Sequence, residues 1–451
     1  MYPGVYKILI PFSGWILVLC KLLRNKLVET NGQKSCTIRK RQQGFPESIR
    51  KSRRSLEIKF QIYLYDAASA SERGKFGSEL PNLLFLTQQV RQKEEKMKAE
   101  IVHMTAENID KESLKRAGRI LQEGGLVAFP TETVYGLGGN ALDFKASKKI
   151  YAAKGRPSDN PLIVHIADME SLPKIVKELP PKAKILAEKF WPGPLTMILP
   201  KSDAVPLETT GGLNTVAVRF PSDPIAQSLI RYAGGYVAAP SANTSGRPSP
   251  TLAEHVEEDL GDAIDMIIDG GQVGIGLEST IVDFTEDVPV VLRPGYISLE
   301  MLREVLGEVR MDKGLLKTDS KIHPKAPGMK YRHYAPKAEL SIVEGESGEV
   351  VAAINRLAKE AKAKGETVGI IATDETAEQY TAGLVKSIGK REEEETIAHH
   401  LYEVLREFDK YQVSAIYSEA FYTPRMGQAI MNRLLKAAGH KIIKAQEENE
   451  K

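Results

Sequence analysis

The sequence predicts an α/β protein in which a layered α/β domain is followed by a smaller Rossmann-like unit. Between Met97 and about residue 300, short apolar segments of strand length alternate with helical segments, which is typical of a sheet covered by helices. After a connector rich in proline and lysine, a second alternation of the same kind begins. We therefore expect one domain over 97–308, a linker over 309–337 and a second domain over 338–446.

The elements of the first domain follow in chain order. SLKRAGRILQEGG has the spacing of an amphipathic helix and ends at Gly124 and Gly125, as helices commonly do. LVAFPTETVYGLG then runs from a strand into a turn, and a short helix over FKASKKIYAAK leads into KGRPSDNPLIVH. More helix is predicted over LPKIVKELPPKAKILAEKF, before the turn WPGP. Short apolar strands are predicted at LTMILP, TVAVRFP, YVAAPSAN, MIIDGG and STIVDF.

The second domain repeats strand and helix after the connector DKGLLKTDSKIHPKAPGMKYRHYAPKA. Its predicted strands are ELSIVEG, TVGIIAT, LVKSIG and VSAIYSEAF, and its predicted helices are EVVAAINRLAKEAKAKG, TIAHHLYEVLREFDKY and MGQAIMNRLLKAAG. No GxGxxG occurs, so the pattern supports a Rossmann-like architecture and not nucleotide binding. Apolar faces such as that of HLYEVLREF are interpreted as packing surface.

Residues 1–96 have no sustained period of 3.6 or 2 and are not predicted to form a domain. Their apolar run ILIPFSGWILVLC is short for a bilayer span and is interrupted by Pro11. Just before Met97 the chain reads KEEK, and Lys-Glu-Glu can be encoded as AAGGAGGAA, which contains a bacterial ribosome-binding sequence. We therefore expect translation to start at Met97, with a basic leader or membrane anchor as the alternative interpretation.

The charge distribution argues against a basic nucleic-acid-binding body. Residues 1–96 contain 18 Lys and Arg against 8 Asp and Glu, which leaves 44 against 51 for residues 97–451 from chain totals of 62 and 59. Both cysteines, Cys20 and Cys36, lie before Met97, so the remainder has neither a disulfide nor a thiolate nucleophile. This composition is compatible with a cytoplasmic enzyme, and we expect neither membrane insertion nor strong direct nucleic-acid binding.

The stretch KGRPSDNPLIVH has the clearest chemical character. Lys154 and Arg156 are two residues apart, and Asn160 and His165 follow them. Proline disfavours helix and restricts the residue before it, so this loop is expected to be stiff. Paired cations on a stiff loop indicate a phosphate site. No Walker loop, HExxH, nucleophile elbow or paired metal-ligand set occurs, so any nucleotide must bind by another arrangement.

Further polar motifs share this character and fall at predicted strand ends, where α/β sheets open a ligand crevice. Each is a weak signal alone. They are FPTETVYGLG, WPGPLT, TVAVRFP, PSANTSGRPSPT, GLESTIVD and LRPG. As a set, with KGRPSDNPLIVH, they resemble the Sua5/YrdC family of threonylcarbamoyl-AMP synthases. The resemblance is strong over about residues 105–300, and the connector with the second unit is similar to the longer, two-domain Sua5 type.

The resemblance implies a fold, a reaction and a set of residues. The fold would be a YrdC-like twisted-sheet α/β domain, a linker and a small Rossmann-like Sua5 domain. The reaction would join L-threonine, bicarbonate or CO2, and ATP into threonylcarbamoyl-AMP and pyrophosphate, for threonylcarbamoyladenosine modification of tRNA.

The resemblance also implies a set of site residues. The family's KxR…SxN signature corresponds to the catalytic candidates Lys154, Arg156, Ser241 and Asn243. ATP would be bound by Lys154, Arg156, Asn160, Thr215, Ser241, Ser249, Arg293, Tyr331, His333 and Tyr334. Threonine would be bound by Thr133, His165, Arg219, Ala239 and Ser279.

Structural alternatives remain open for three of these residues. Instead of binding a substrate, Thr133 could cap a turn, His165 could be a core residue, and Ser249 could be the N-cap of a helix over TLAEHVEE. Mg²⁺ is expected on the triphosphate, with no protein-held metal site, because this ion commonly binds through phosphates. The product would pass to the tRNA threonylcarbamoyl transferase complex.

Two other functions compete with the synthase. A carbamoyl-transfer maturation factor can use the same domain, but such chains carry zinc segments for which residues 97–451 have no cysteine. A non-catalytic RNA-binding module would need a basic face.

The connector is expected to act as a lid, with Tyr331 or Tyr334 on the nucleotide base or sugar and Arg332 or His333 near phosphate.

Overall fold

The computed structural model describes residues 98–312 and 333–446. Residues 1–97 lie outside them, so the expected start at Met97 stays a prediction. Most of the connector, residues 313–332, also lies outside, so the lid stays a prediction as well. Within the two described ranges, no helix is both long enough and apolar enough to span a membrane.

The first sheet has eleven strands in the order β1-β8-β2-β3-β7-β4-β6-β5-β9-β10-β11. The strands are β1 (Glu100–His103), β2 (Val127–Phe129), β3 (Gly136–Asn140), β4 (Ile163–His165), β5 (Leu195–Pro200), β6 (Thr215–Arg219), β7 (Val237–Ala238), β8 (Met266–Asp269), β9 (Thr280–Asp283), β10 (Val290–Arg293) and β11 (Arg310–Met311). Both parallel and antiparallel pairs occur, for example β4 with β6 and β5 with β6. The sheet is therefore mixed.

Helices accompany this sheet along the chain. They are α1 (Lys111–Gln122), α2 (Phe144–Lys154), α3 (Leu172–Ile175), α4 (Pro181–Phe190), α5 (Pro224–Tyr232), α6 (Ala253–Leu260) and α7 (Leu299–Leu306). Side chains of a strand point alternately to its two faces. In β2, Ala128 joins one apolar core, whereas its neighbours Val127 and Phe129 join another. The sheet thus has a buried core on each face, as the pattern of short apolar strands predicts.

The second sheet has five strands, all parallel, in the order β14-β13-β15-β12-β16. The strands are β12 (Glu339–Glu344), β13 (Val368–Ala372), β14 (Leu384–Ser387), β15 (Ala415–Glu419) and β16 (Ile442–Lys444). The helices are α8 (Ser347–Ala363), α9 (Glu394–Lys410) and α10 (Gly427–Ala437). One core of this unit also contains Val134, Leu277 and Tyr334. Helices α9 and α10 therefore pack against loops of the first sheet, which agrees with the interpretation of HLYEVLREF as packing surface.

Candidate active site

One cavity collects side chains from both halves of the first sheet. Several strand ends and the loops that follow them form its wall. The predicted residues that line it are Thr133, Lys154, Arg156, His165, Arg219, Ala239, Ser241, Asn243, Ser279, Arg293, His333 and Tyr334. Residues as far apart in the chain as Thr133 and Tyr334 therefore share one space.

Among the described residues, the predicted Asn160, Thr215 and Ser249 do not line this cavity. Tyr331 lies outside the described residues. Asn160 is buried, and its backbone oxygen accepts a hydrogen bond from Arg156 at 3.2 Å. Thr215 begins β6 opposite Pro200. The hydroxyl of Ser249 is buried behind the wall.

One side of the cavity is built around Arg219 and His165. These residues are direct neighbours in the register of the parallel strands β4 and β6. A guanidinium nitrogen of Arg219 lies 2.8 Å from Glu132 Oε1, and both side chains are largely buried. Glu132 thus provides the counter-ion of Arg219. This ion pair compensates the charge of the buried guanidinium.

His165 is neutral at physiological pH. Burial, followed by the nearby charge of Arg219, lowers its pKa to about 3. Its Nδ1 lies 3.1 Å from the backbone oxygen of Ile163, and because a carbonyl oxygen only accepts, Nδ1 carries the hydrogen. The ring therefore contributes a polar but uncharged surface beside the Arg219 guanidinium.

The turn after β2 is shaped by Thr131. Its hydroxyl donates to the oxygen of Val134 at 2.7 Å and accepts from the amides of Thr133 and Val134. The capping role considered for Thr133 therefore belongs to Thr131. The Thr133 hydroxyl lies 2.9 Å from that of Thr131, in the cavity wall.

The basic loop begins where α2 ends. Gly155 caps this helix in the left-handed conformation, with φ of 60°, which a glycine adopts without strain. Lys154 is the last helical residue and is almost completely buried. Its ammonium donates to the backbone oxygens of Ser241, at 2.5 Å, and of Asn243. These hydrogen bonds of Lys154 therefore connect the basic loop to the SAN loop, residues 241–243.

Ser241 and Asn243 complete the same hydrogen-bonded unit. The Ser241 hydroxyl donates to Asn243 Oδ1 at 2.6 Å, and the Asn243 amide donates to the oxygens of Thr244 and Arg247 at 2.8 and 3.0 Å. The signature residues Lys154, Ser241 and Asn243 thus build the loop geometry at the cavity edge. Burial, and then the charge of Arg156, lowers the pKa of Lys154 well below its ordinary value.

Arg156 and Arg293 add two buried guanidinium groups. Arg156 donates to the backbone oxygen of Pro161 at 3.0 Å, which fixes the loop it belongs to. Arg293, at the end of β10, donates from Nε to the oxygen of Ser279 at 3.0 Å and from a terminal nitrogen to the Ser279 hydroxyl at 3.1 Å. Burial lowers the pKa of Arg156 to about 10, so this group stays protonated at neutral pH.

A carboxylate that the sequence reasoning did not select lies in this part of the wall. Glu278 lines the cavity, and the hydroxyl of Ser249 donates to its Oε1 at 2.5 Å. Helix α6 begins at Ala253 with Leu252 as its N-cap, so the N-cap interpretation of Ser249 is wrong. Burial alone would raise the pKa of Glu278, but the charges of Arg433 and Arg293 outweigh it and lower the pKa to about 2.

His333 and Tyr334 reach the cavity from the end of the connector. Burial, followed by the charge of Arg156, lowers the pKa of His333 to about 3, so it is neutral at physiological pH. Tyr334 is buried and stacks on Tyr402 of α9 with ring centroids 5.2 Å apart. The ring of Tyr334 is thus packed against the second unit, where the sequence reasoning expected a nucleotide base or sugar.

The described residues contain no cluster of three or more His, Cys, Asp or Glu side chains that could hold a metal ion. Glu278 is the carboxylate in the cavity wall, and it is paired with arginine.

Two family models match the chain in succession. One, described as "Telomere recombination" (Sua5_yciO_yrdC), matches residues 119–295. The other, described as "Threonylcarbamoyl-AMP synthase, C-terminal domain" (Sua5_C), matches residues 297–439. Threonylcarbamoyl-AMP synthase of Bacillus subtilis is 52% identical over 332 residues, which cover 73% of this chain and 94% of that protein. The enzyme of the same name from Pyrococcus abyssi is 49% identical over 344 residues, covering 76% of this chain and 99% of that protein.

The chain belongs to the Sua5/YrdC family of threonylcarbamoyl-AMP synthases. A crystal structure of P. abyssi Sua5 complexed with L-threonine has the same fold, with a TM-score of 0.72 and 48% identity over 77% of this chain and 99% of that chain. The predicted membership of the two-domain Sua5 type and the predicted α/β architecture are confirmed.

Sequence reasoning missed the carboxylates Glu132 and Glu278 and two side chains of the second unit, Tyr402 and Arg433, that hydrogen-bond to Glu278. Both carboxylates lie inside motifs that were selected, PTETVYGL and LESTIVD, so their position in those motifs was the available signal. No comparable signal marks Tyr402 and Arg433, because each looks like one polar residue on an otherwise apolar helix face.

Proposed function

We propose that this chain synthesises threonylcarbamoyl-AMP and pyrophosphate from L-threonine, bicarbonate or CO2, and ATP. The observation that carries the proposal is one cavity that combines Arg219, suited to an amino-acid carboxylate, with Lys154, Arg156 and Arg293. The names of relatives that match nearly their full length agree with it. The structure of P. abyssi Sua5 with L-threonine supports threonine as the amino acid.

The reaction would bring two anions together. The threonine ammonium loses a proton, the neutral amine adds to CO2, and the loss of a second proton from the nitrogen gives a carbamate. A carbamate oxygen then bonds to the α-phosphorus of ATP, and the bond from that phosphorus to the pyrophosphate oxygen breaks. Carbamate and triphosphate repel each other, so charges fixed in place beforehand are the main contribution that the protein can make.

The proposed roles follow the two sides of the cavity. Arg219 would bind the threonine carboxylate in bidentate fashion, and Thr133, His165 and Ser279 would contact its polar groups, with the backbone at Ala239 closing the pocket. Lys154, Arg156, Ser241, Asn243 and Arg293 would form the ATP side. Asn160, Thr215, Ser249, Tyr331, His333 and Tyr334 complete the ATP-binding set that we propose from the family resemblance.

The geometry refines the proposed role of Lys154. Its ammonium already donates to two backbone oxygens, so we propose that it acts by fixing the SAN loop and by adding a buried positive charge near the phosphates. Mg²⁺ would arrive on the phosphate oxygens of ATP. We place the reaction in the cytoplasm and propose that the product passes to the tRNA threonylcarbamoyl transferase complex.

Pyrophosphate release tests this function. The purified chain is incubated with ATP and Mg²⁺, and threonine and bicarbonate are left out one at a time. The proposal expects release only when both are present. Release that needs neither would favour a carbamoyl-transfer factor or another ATPase, and no release together with RNA binding would favour the RNA-binding module.

A further inference from the structure

Side chains of the second unit form hydrogen bonds with Glu278 and Pro294, in two segments that carry residues of the active-site cavity wall. We propose that Arg433 of α10 is a positioning residue of the ATP site, which neutralises Glu278 and holds the two wall segments at 278–279 and 293–294 together. This inference rests on the proposed function, because it assigns the adjoining part of the cavity to the phosphates of ATP.

Arg433 is fully buried, and its three acceptors among the described residues all lie in the first domain. Its Nε donates to Glu278 Oε2 at 3.0 Å. Its two terminal nitrogens donate to the backbone oxygens of Pro294 and, at 3.1 Å, of Glu278. Pro294 follows Arg293, and Glu278 precedes Ser279, so one guanidinium bridges the two segments that carry these cavity residues.

Glu278 also connects Arg433 to side chains behind the cavity wall. Its carboxylate accepts from the hydroxyl of Tyr402, on α9, at 2.9 Å and from that of Ser249 at 2.5 Å. Tyr402 in turn stacks on Tyr334, which lines the cavity. The orientation of Ser249 and Tyr334 therefore depends on a carboxylate that Arg433 holds in place.

Charge explains why an arginine is needed here. A carboxylate in the wall of a site for triphosphate and carbamate would repel both anions, and the repulsion is strong in a water-poor cavity. The guanidinium of Arg433 cancels that charge and, as a planar fork, also reaches two backbone oxygens. A lysine at position 433 would keep the charge but could not make the same set of hydrogen bonds.

Steady-state kinetics on the full chain test the proposal. In Arg433→Met the unpaired Glu278 charge should raise the KM for ATP by about 30-fold or more, since truncating one partner of a buried charge pair has effects of this size. The KM for threonine should change less, because Arg433 bonds to none of the proposed threonine-binding side chains and reaches Ser279 only through the backbone of Glu278. Arg433→Lys should lie between the unmodified protein and Arg433→Met.

A second substitution separates charge from folding. Adding Glu278→Gln to Arg433→Met removes the uncompensated carboxylate, so the KM for ATP should fall back toward that of the unmodified protein. The matched control is Arg391→Met, which removes another arginine from a buried carboxylate, Glu419, within the second unit. It should lower the melting temperature without raising the KM for ATP.

The proposal is overturned if Arg433→Met leaves the KM for ATP unchanged, if it raises the KM for threonine equally, or if Glu278→Gln worsens the defect. If Arg433→Met does not fold, an unchanged KM for ATP in a folded Arg433→Lys protein also overturns the proposal. The unmodified protein provides the separate check on function. If it makes no threonylcarbamoyl-AMP, the proposed function fails, whereas normal synthesis with an unaffected Arg433→Met protein refutes only this inference.

Discussion

At the scale of single residues, the ion pair of Arg219 and Glu132 determines the orientation of the Arg219 guanidinium in the cavity. Glu132 touches Arg219 at 2.8 Å but does not belong to the cavity wall. A buried guanidinium without a partner would be costly and free to reorient. We therefore interpret Glu132 as the residue that aims the fork of Arg219 into the cavity.

Glu132→Gln should raise the KM for threonine by about tenfold while changing the KM for ATP little, because the amide keeps the size of the side chain but loses the ion pair. Initial rates at varied threonine and saturating ATP give the answer. Glu258→Gln is the control, since Glu258 belongs to a partly exposed ion pair and such pairs contribute little. A lower KM for threonine in Glu132→Gln would show instead that Glu132 competes with the substrate carboxylate.

Amino-acid choice should depend on the substrate hydroxyl. The side chains of Thr133, His165 and Ser279 are buried and polar, so a substrate without a hydroxyl would leave polar groups unpaired. Valine should therefore be rejected far more strongly than serine, which loses only a methyl group. Competition assays with threonine measure this order, and equal use of valine and threonine would contradict a polar pocket.

At the scale of elements, the turn after β10 sets the position of the Glu278 segment. A Cβ at Gly295 would lie 2.5 Å from the amide nitrogen of Thr280 and 2.8 Å from the oxygen of Glu278. Both are backbone atoms that cannot rotate away. The LRPG motif is therefore explained by this close approach of two backbone segments.

Gly295→Ala should destabilise the protein by about 1–3 kcal/mol, as other overpacking substitutions do, and should lower the rate of adenylate formation because the 278–279 segment is displaced. Thermal unfolding and initial rates are the measurements. Gly348→Ala is the matched control, because a Cβ there meets nothing within 4 Å and position 348 lies in the first turn of α8. Equal stability of the two variants would refute the close-packing explanation.

Much of the fold could be predicted because local patterns were strong. The predicted helix FKASKKIYAAK coincides with α2. The segment TVAVR is β6, and STIVD is β9 with the one residue before it. The edge strand β1 was missed because its residues are half exposed and show no alternation. Arg433 could not be found from the sequence, because its partner Glu278 is 155 positions away and only the packing of α10 brings the two together.

At the scale of the whole molecule, three histidines of the described residues couple folding to pH. Burial lowers the pKa of His165, His255 and His333 to about 3 from an ordinary value of 6.5. Below pH 6.5 the unfolded chain therefore binds protons that the folded protein does not, so stability is present above this pH and is lost as the pH falls. Burial raises the pKa of Asp223 to about 6, which offsets part of the loss below pH 6.

The free energy of unfolding should fall by on the order of 2 kcal/mol between pH 6.5 and 5.5. Urea titrations at several pH values measure it. His255→Gln is the variant to compare, since His255 is buried in α6 and does not line the cavity. The free energy of unfolding of this variant should depend less steeply on pH. The same pH dependence as in the unmodified protein would contradict the assignment of His255 as a buried neutral residue.

The central claim is that one cavity joins threonine, CO2 and ATP into a single adenylate, and isotope incorporation tests it most directly. The full chain is incubated with threonine, ATP, Mg²⁺ and ¹³C-bicarbonate, and the nucleotide products are analysed by mass spectrometry. We expect threonylcarbamoyl-AMP that carries one ¹³C atom in its carbamoyl group, formed together with pyrophosphate. An adenylate of threonine without the labelled carbon, or pyrophosphate release without any threonine-containing product, would contradict the account.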